Sequence, residues 1–317
     1  MAILCIGDVR AARLCAVALL LFCTSQGLMW PAGAQTISDG AKAYREGNYS
    51  SALKIFKQHA ERGDAGAQSS LAGLYWIGRG VQQDDAEAFK WYGRSARQGY
   101  ATAQYLLGRL YGWGRGTPRD DAAALEWLRK AAQQGHAGAQ FDLGVSYHRS
   151  NGAAPDYGKA MKWYRLAAAQ GKSSAQFNIG ILYKQGLGVG VDNVEGAKWY
   201  LLAAKNGNSS GQQIIGYAYA EGDGVPRDMA ASARWHRVAA EQGVSGARLS
   251  LSGKYFRGHG VAIDYIIALK WISISAAGGN KDAVKIKSMM TKDMAPADIA
   301  EGETLAHAWL DRQKRRK

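Results

Sequence analysis

One period dominates the sequence. Tryptophan recurs every 36 residues, at Trp91, Trp127, Trp163, Trp199, Trp235 and Trp271. Tyrosine keeps the same step from Tyr75 to Tyr255, aspartate from Asp84 to Asp264, and glycine from Gly99 to Gly279. Four position classes in one register over six copies require a unit that buries its face against its neighbours, which is a solenoid. A chain of 317 residues would otherwise suggest more than one domain. An array growing in one dimension escapes that limit, so a single repeat domain is expected.

The unit reads as a helical hairpin. Ala67, Leu71, Ala72 and Tyr75 mark one apolar stripe at helical spacing, and Ala88, Trp91, Tyr92, Ser95 and Ala96 mark a second. Gly78-Arg79-Gly80-Val81 stops the first helix and turns the chain. Asp84 stands at the N-cap of the second helix, with Glu87 placed to complete a capping box, and Gly99 ends that helix as a left-handed cap. The Ala72 slot becomes Gly108, Gly144, Gly180, Gly216 and Ser252. Glycine inside a helix costs about 1 kcal/mol relative to alanine, so its recurrence implies a close helix–helix approach, with the Tyr75 and Trp91 slots filling the space beside it. The aromatic ladders are expected to be hydrophobic core.

These residues, Ala67-Gln68-x-x-Leu71-Ala72-x-x-Tyr75-x-x-Gly78-x-Gly80-Val81-x-x-Asp84 followed by Ala88-x-x-Trp91-Tyr92-x-x-Ser95-Ala96-x-x-Gly99, resemble the Sel1-like repeat family, a relative of the tetratricopeptide repeat. Six copies span 67–282. The resemblance implies an all-α fold, an α-solenoid of stacked hairpins, and a role as an adaptor or regulator in envelope signalling, exopolysaccharide export or host contact. Two departures bear on local turns: Ser150-Asn151-Gly152-Ala153 in the third copy, and Thr117 where the family usually has Val.

Flanking segments complete the plan. Residues 1–34 read as a secretory leader: Arg10 and Arg13, an apolar stretch from Leu14 to Phe22, and Ala32-Gly33-Ala34 as a cleavage site. All three cysteines, Cys5, Cys15 and Cys23, lie in it, so the exported chain would carry no thiol, disulfide or thiolate metal site. Cys23 lacks the small residue expected before a lipidated cysteine. The protein is therefore expected in the periplasm or outside the cell, cleaved after Ala34. Residues 35–66 resemble a shortened capping unit, with Ile55 in the tryptophan slot. Residues 283–317 are expected to form capping helices with a frayed basic tail, in which Gly302 weakens the last helix. The formal net charge is +14, and Arg312 to Lys317 hold five basic residues. Such a balance suits an acidic partner, whether protein, anionic lipid or polysaccharide; export argues against nucleic acid.

Catalytic chemistry finds little footing. His59, His136, His148, His236, His259 and His307 form no metal-ligand spacing, and Asp84-Asp85 and Asp120-Asp121 lie at helix starts, where capping explains them. Neither cofactor nor metal is implied. Ser51-Ala52-Leu53-Lys54 matches the Ser-x-x-Lys of serine β-lactamases, an activity assigned to some Sel1-like secreted proteins, but no Lys-Thr-Gly or Ser-Asp-Asn accompanies it. The leading expectation is thus a non-enzymatic scaffold binding a protein along its concave face. A cell-wall-related hydrolase and an envelope glycan binder are the alternatives. In tetratricopeptide-like hairpins the first helices line that face, which nominates Tyr105, Arg109, Trp113, Phe141, His148, Arg149, Phe177 and Tyr217 as the groove's centre, because aromatics and arginine dominate binding hot spots.

Overall fold

The computed structural model describes residues 36–149 and 154–315. Residues 1–35, 150–153 and 316–317, which hold the expected leader and the Ser150-Asn151-Gly152-Ala153 departure, lie outside the described residues. Those described form sixteen α-helices and no strands, in two compact units divided after Asp84.

The first unit holds α1 (Ile37–Arg45), α2 (Tyr49–Glu61) and α3 (Ala65–Ile77). Thr36 and Asp39 form a reciprocal capping box at the start of α1. Ala52, Ile55, Phe56 and Ala60 on α2 and Leu71, Ala72 and Leu74 on α3 are buried.

The second unit begins with α4 (Asp85–Arg97) and continues as hairpins. These are α5 (Ala101–Trp113) with α6 (Asp121–Gln133), α7 (Ala137–Arg149) with α8 (Tyr157–Ala169), and α9 (Ser173–Gln185) with α10 (Asn193–Lys205). Two more follow, α11 (Ser209–Glu221) with α12 (Met229–Glu241), and α13 (Ser245–Arg257) with α14 (Tyr265–Ala277). Each second helix also packs on the first helix of the next hairpin, so the hairpins stack in chain order.

Local chemistry explains the register. Asp120, Asp156, Asp192, Asp228 and Asp264 each accept a hydrogen bond from the backbone amide three residues on, at 2.8–2.9 Å. Their own amides donate to the carbonyls of Tyr111, Tyr147, Tyr183, Tyr219 and Tyr255 at 2.8–3.0 Å, which ties the aspartate and tyrosine ladders across every turn. The second turn glycine answers two demands at once. Gly116 has φ +71, and a Cβ there would stand 2.1 Å from the Asp85 carbonyl oxygen on α4. Thr117 leaves its turn unchanged, since Gly114 and Gly116 keep the positive φ of the Gly186–Gly188 turn.

The aromatic ladders are not the interior. Trp91 and Trp271 are buried, but Trp127, Trp163, Trp199, Trp235 and all six tyrosines from Tyr75 to Tyr255 are half-buried. Helices this close leave room only for small and aliphatic side chains, so Ala103, Leu107, Ala131, Ala139, Leu143, Ala167, Ala175 and Ile179 fill the middle. The indoles lie at its edge, where cations cover them: Lys130 Nζ is 4.2 Å from the Trp127 ring and Arg94 Cζ 4.4 Å from that of Trp91. The ring resting on the slot-72 glycine belongs instead to the residue after the tryptophan: a Cβ on Gly144 would stand 2.4 Å from Tyr164 Cδ1, and one on Gly180 2.7 Å from Tyr200 Cδ1.

A buried polar ladder joins the hairpins. Gln104, Gln140, Gln176 and Gln212 each donate from Nε2 to a carbonyl on the preceding second helix, at 3.1–3.2 Å. Each accepts in turn from Gln134, Gln170, Asn206 or Gln242, thirty residues on, at 2.7–3.0 Å. In the last copy Arg248 takes the slot, and its Nε donates to the Ala240 carbonyl at 3.3 Å.

The array ends with α15 (Lys281–Met290) and α16 (Pro296–Arg315), both packed on α14. Gly302 has a packing reason for its cost within α16. It is buried at the contact, where a Cβ would meet Leu269 Cδ2 at 3.0 Å and the Ile266 carbonyl oxygen at 3.1 Å, so glycine is what lets the helix approach. The tail does not fray at once, since Arg312, Lys314 and Arg315 lie within α16.

Candidate partner-binding face

Within the second unit the floor between successive first helices is set by one slot, the residue after the tryptophan: Leu128, Tyr164, Tyr200, His236 and Ile272. Where tyrosine stands the floor is high. The space beside Tyr200, between α9 and α11, is about 250 Å³, and the ion pair of Lys184 with Asp223 lies at its edge. Where a shorter side chain stands the floor drops. Leu128 underlies a cavity of about 840 Å³ between α5 and α7, and Ser146, in a slot that holds the buried Leu110 and Leu182 elsewhere, widens it. Ile272 underlies another, of about 800 Å³, between α13 and α15.

The Leu128 cavity gathers three of the eight expected groove residues, Arg109, Trp113 and Arg149. Arg109 is held in place: Nη1 donates to the Tyr105 hydroxyl at 2.9 Å, and Cζ lies 4.2 Å from the Trp113 ring. The Tyr105 ring is stacked on His136 with centroids 4.4 Å apart. Burial pushes the Asp142 carboxyl upward, against the opposing pull of Arg109, Lys172 and the Tyr105 hydroxyl. Burial likewise pushes the Tyr105 phenol up and the His136 and His148 imidazoles down. At the rim Arg119 binds Asp121 with two hydrogen bonds of 2.9 Å, and Lys159 pairs with Asp156 at 2.9 Å. Arg149 is exposed and makes no ion pair among the described residues, so it is the rim cation with its charge unspent. The cavity therefore offers a fixed, ring-backed guanidinium, a free guanidinium and an exposed indole, Trp113 at 46%.

The other expected residues lie elsewhere. Phe141 and Phe177 are half-buried and pack on Tyr164 and Tyr200, at centroid distances of 5.9 and 5.4 Å. His148 meets Tyr157 edge-on, with Nδ1 3.4 Å from the Tyr164 hydroxyl. Tyr217 lines the small space beside Tyr200 and sets its edge against His236, 4.7 Å between centroids. The eight do not form one continuous site. The missed determinant is the slot after tryptophan: Leu128, His236 and Ile272 interrupt a run of tyrosines, a signal present in the sequence.

Ser51 lies in the first turn of α2, where its amide donates to the Asn48 side chain at 3.1 Å, and Lys54 is exposed one turn on. Among the described residues no group of three or more His, Cys, Asp or Glu could hold a metal ion, and no helix is long and apolar enough to cross a membrane.

Comparison with known proteins bears on both fold and role. The Sel1 repeat model matches residues 65–100, 101–136, 137–172, 173–208, 209–244 and 247–280. A Sel1 repeat protein from Oxalobacter formigenes has a crystal structure similar to this one, with a TM-score of 0.72 and 31% identity, covering 77% of this chain and all of that one. A protective antigen of uropathogenic Escherichia coli, displaying an SLR fold, is 27% identical with a TM-score of 0.53, over 87% of this chain and 69% of that one. A stretch of 51 residues is 45% identical to an exopolysaccharide production negative regulator of Rhizobium leguminosarum bv. viciae, and it spans only 19% of that regulator's length. Sel1 repeat folds are typically non-enzymatic scaffolds, and their proteins generally mediate protein–protein interaction. With six repeats matched over two thirds of its length, this chain belongs to the Sel1 repeat family.

Proposed function

We propose that the protein is an exported scaffold or regulator of the cell envelope that holds an acidic, partly apolar segment of a partner protein against its first helices. The observation that carries this reading is the Leu128 cavity. Arg109 is pre-oriented there by Tyr105 and Trp113, so little side-chain entropy is lost when it binds a carboxylate, and Arg149 beside it makes no ion pair among the described residues. The formal charge of +14 favours the approach of an acidic partner. The exopolysaccharide regulator similar over 51 residues makes control of exopolysaccharide production the first process in which to seek that partner.

The test is capture from envelope extract, identification of the bound protein by mass spectrometry, and calorimetric titration of that protein in purified form. Arg109→Glu with Arg149→Glu should leave the circular dichroism spectrum and thermal midpoint close to wild type and abolish measurable binding. Full binding by the double variant, with loss on deleting residues 312–317, would assign the contact to the basic tail instead.

A further inference from the structure

The outer side of the second helices changes character along the array. Three residues after the tryptophan stand Arg94 and Lys130 in the first two copies, then Leu166, Leu202, Val238 and Ile274. The two cations are exposed and close over their own indoles, those of Trp91 and Trp127. Leu166, Leu202 and Val238 have no polar end to turn to water, yet they are 39–43% exposed. Ile274 alone of the four is buried, because α16 lies across it. The chain thus shows once, within itself, what an apolar face of this kind receives.

The buried residues of α16 are Gly302, Ala306 and Trp309, spaced four and three apart and so on one face of the helix. Gly302 comes against Leu269 and the Ile266 carbonyl, and Trp309 meets the Trp271 ring edge-on with centroids 6.1 Å apart. The nearest counterpart of this seat is on α10. Val194 takes the slot of Ile266, Trp199 that of Trp271 and Leu202 that of Ile274, whereas α8 and α12 have only Gly158 and Ala230 in the first of these slots. The packing partners of α10 are α9 and α11, and Val194 is left 54% exposed. Around it Lys162, Arg165, Lys205 and Arg237 are exposed and make no ion pair among the described residues, while Glu195 is taken by Lys198. Two differences from α14 bear on what fits. Ala197 stands where α14 has the bulkier Leu269, so the residue facing it need not be glycine. Trp309 is held beneath Arg248, with Cζ 4.6 Å from the ring, but the same slot beside α10 is Gln176, already bonded to Asn206 at 2.9 Å. No cation awaits an indole there.

We infer that the outer side of α10, flanked by α8 and α12, is a docking seat for an amphipathic helix of a partner protein, with aliphatic residues at i, i+4 and i+7 and Asp or Glu beside them. The apolar stripe would cover Val194, Trp199 and Leu202 as α16 covers Ile266, Trp271 and Ile274, and the acids would meet the surrounding cations. A helix is the occupant because the Trp199 indole is half-buried, and a ridge of side chains reaches it as Trp309 reaches Trp271. No residue of α10 lines the Leu128 cavity, so the inference stands apart from the reading proposed above.

The probe is a phage-displayed library built on the α16 sequence, residues 296–315, with positions 302, 306 and 309 and their exposed neighbours randomised. It is selected on the purified full chain, and enriched helices are synthesised and titrated by fluorescence anisotropy. They should carry Leu, Ile, Val or Met at the three positions and a net negative charge. Leu202→Lys installs the residue that Lys130 supplies to the second copy, and so keeps the fold; it should weaken them about tenfold or more, as should Val194→Asp. Arg109→Glu with Arg149→Glu should leave their affinity unchanged. Helices insensitive to Leu202→Lys and Val194→Asp but lost in that double variant would overturn the inference and leave the Leu128 cavity as the binding surface. Failure to enrich any helix would also overturn it, and phosphatidylglycerol vesicles bound by the wild type but not by Leu202→Lys would then assign the face to lipid.

Discussion

At Gly144 there is no space for a methyl group, because the Tyr164 ring lies where it would go. Gly144→Ala should therefore destabilise by about 1–3 kcal/mol, the usual cost of overpacking a tight contact. Urea denaturation would measure it, and Tyr164→Leu should relieve part of the loss, since a Cβ on Gly108 would stand 3.1 Å from Leu128 Cγ, against 2.4 Å from a Gly144 Cβ to Tyr164 Cδ1. His236 makes a second residue-scale test. Burial holds its imidazole down at about 4, against about 6.5 in an unfolded chain. The neutral form is favoured in the fold, so the stabilisation is complete above pH about 6.5 and is lost as pH falls towards 4. Two and a half pH units bound the effect at about 3 kcal/mol. His236→Tyr, the residue of three other copies, should flatten the urea midpoint between pH 6.5 and 4; an unchanged slope would place the acid sensitivity elsewhere. Burial also lowers the Lys254 ammonium below its ordinary range, so Lys254→Leu should raise stability at neutral pH.

Between elements, the glutamine ladder is the connection most exposed to a single change. Gln140 bonds the Ala132 carbonyl at 3.2 Å and receives Gln170 at 2.8 Å, so Gln140→Met removes two inter-helix bonds, although the Ala132 carbonyl keeps the Gly135 amide and Gln170 keeps the Gly135 carbonyl. A loss of about 1–3 kcal/mol is expected, read by chemical denaturation. How far this level was legible in the sequence depends on the interaction. Helix ends were readable because caps are local: Asp120 or Gly135 needs only its own turn. Pairing of helices into hairpins followed from the period. The glutamine ladder was not readable, because its bonds join residues thirty apart on separate helices, although Gln68, Gln104, Gln140, Gln176 and Gln212 stand in plain register. The tryptophans misled for a related reason. Periodicity reports which face a residue lies on but not its depth, and an indole at the edge of a tight helix pair recurs as strictly as one inside it. For the groove, Arg109, Trp113 and Arg149 line one cavity, whereas Phe141 and Phe177 are half-buried against rings contributed by the following second helix, a contact that spacing within the first helix does not report.

For the molecule as a whole, damage should stay near its source. Hydrogen exchange on Gln140→Met should show lost protection centred on α6 to α9, with α13 to α16 retaining theirs; uniform loss through residues 85–315 would contradict nearest-neighbour coupling. Export is a separate whole-chain matter. Intact-mass analysis of the exported protein should give a chain beginning at Gln35, whereas a retained leader or an acyl mass on Cys23 would refute cleavage after Ala34. The tyrosine slot has a consequence for how such a chain can change its habits. Each interval between first helices owns one interchangeable tile, and swapping the tile alters depth and polarity without disturbing the caps, turns or glutamine bonds that hold its neighbours. Leu128→Tyr would raise one floor, and Tyr200→Leu would lower another. New preferences can thus be acquired by single substitutions, one interval at a time, on an architecture that never has to be reinvented.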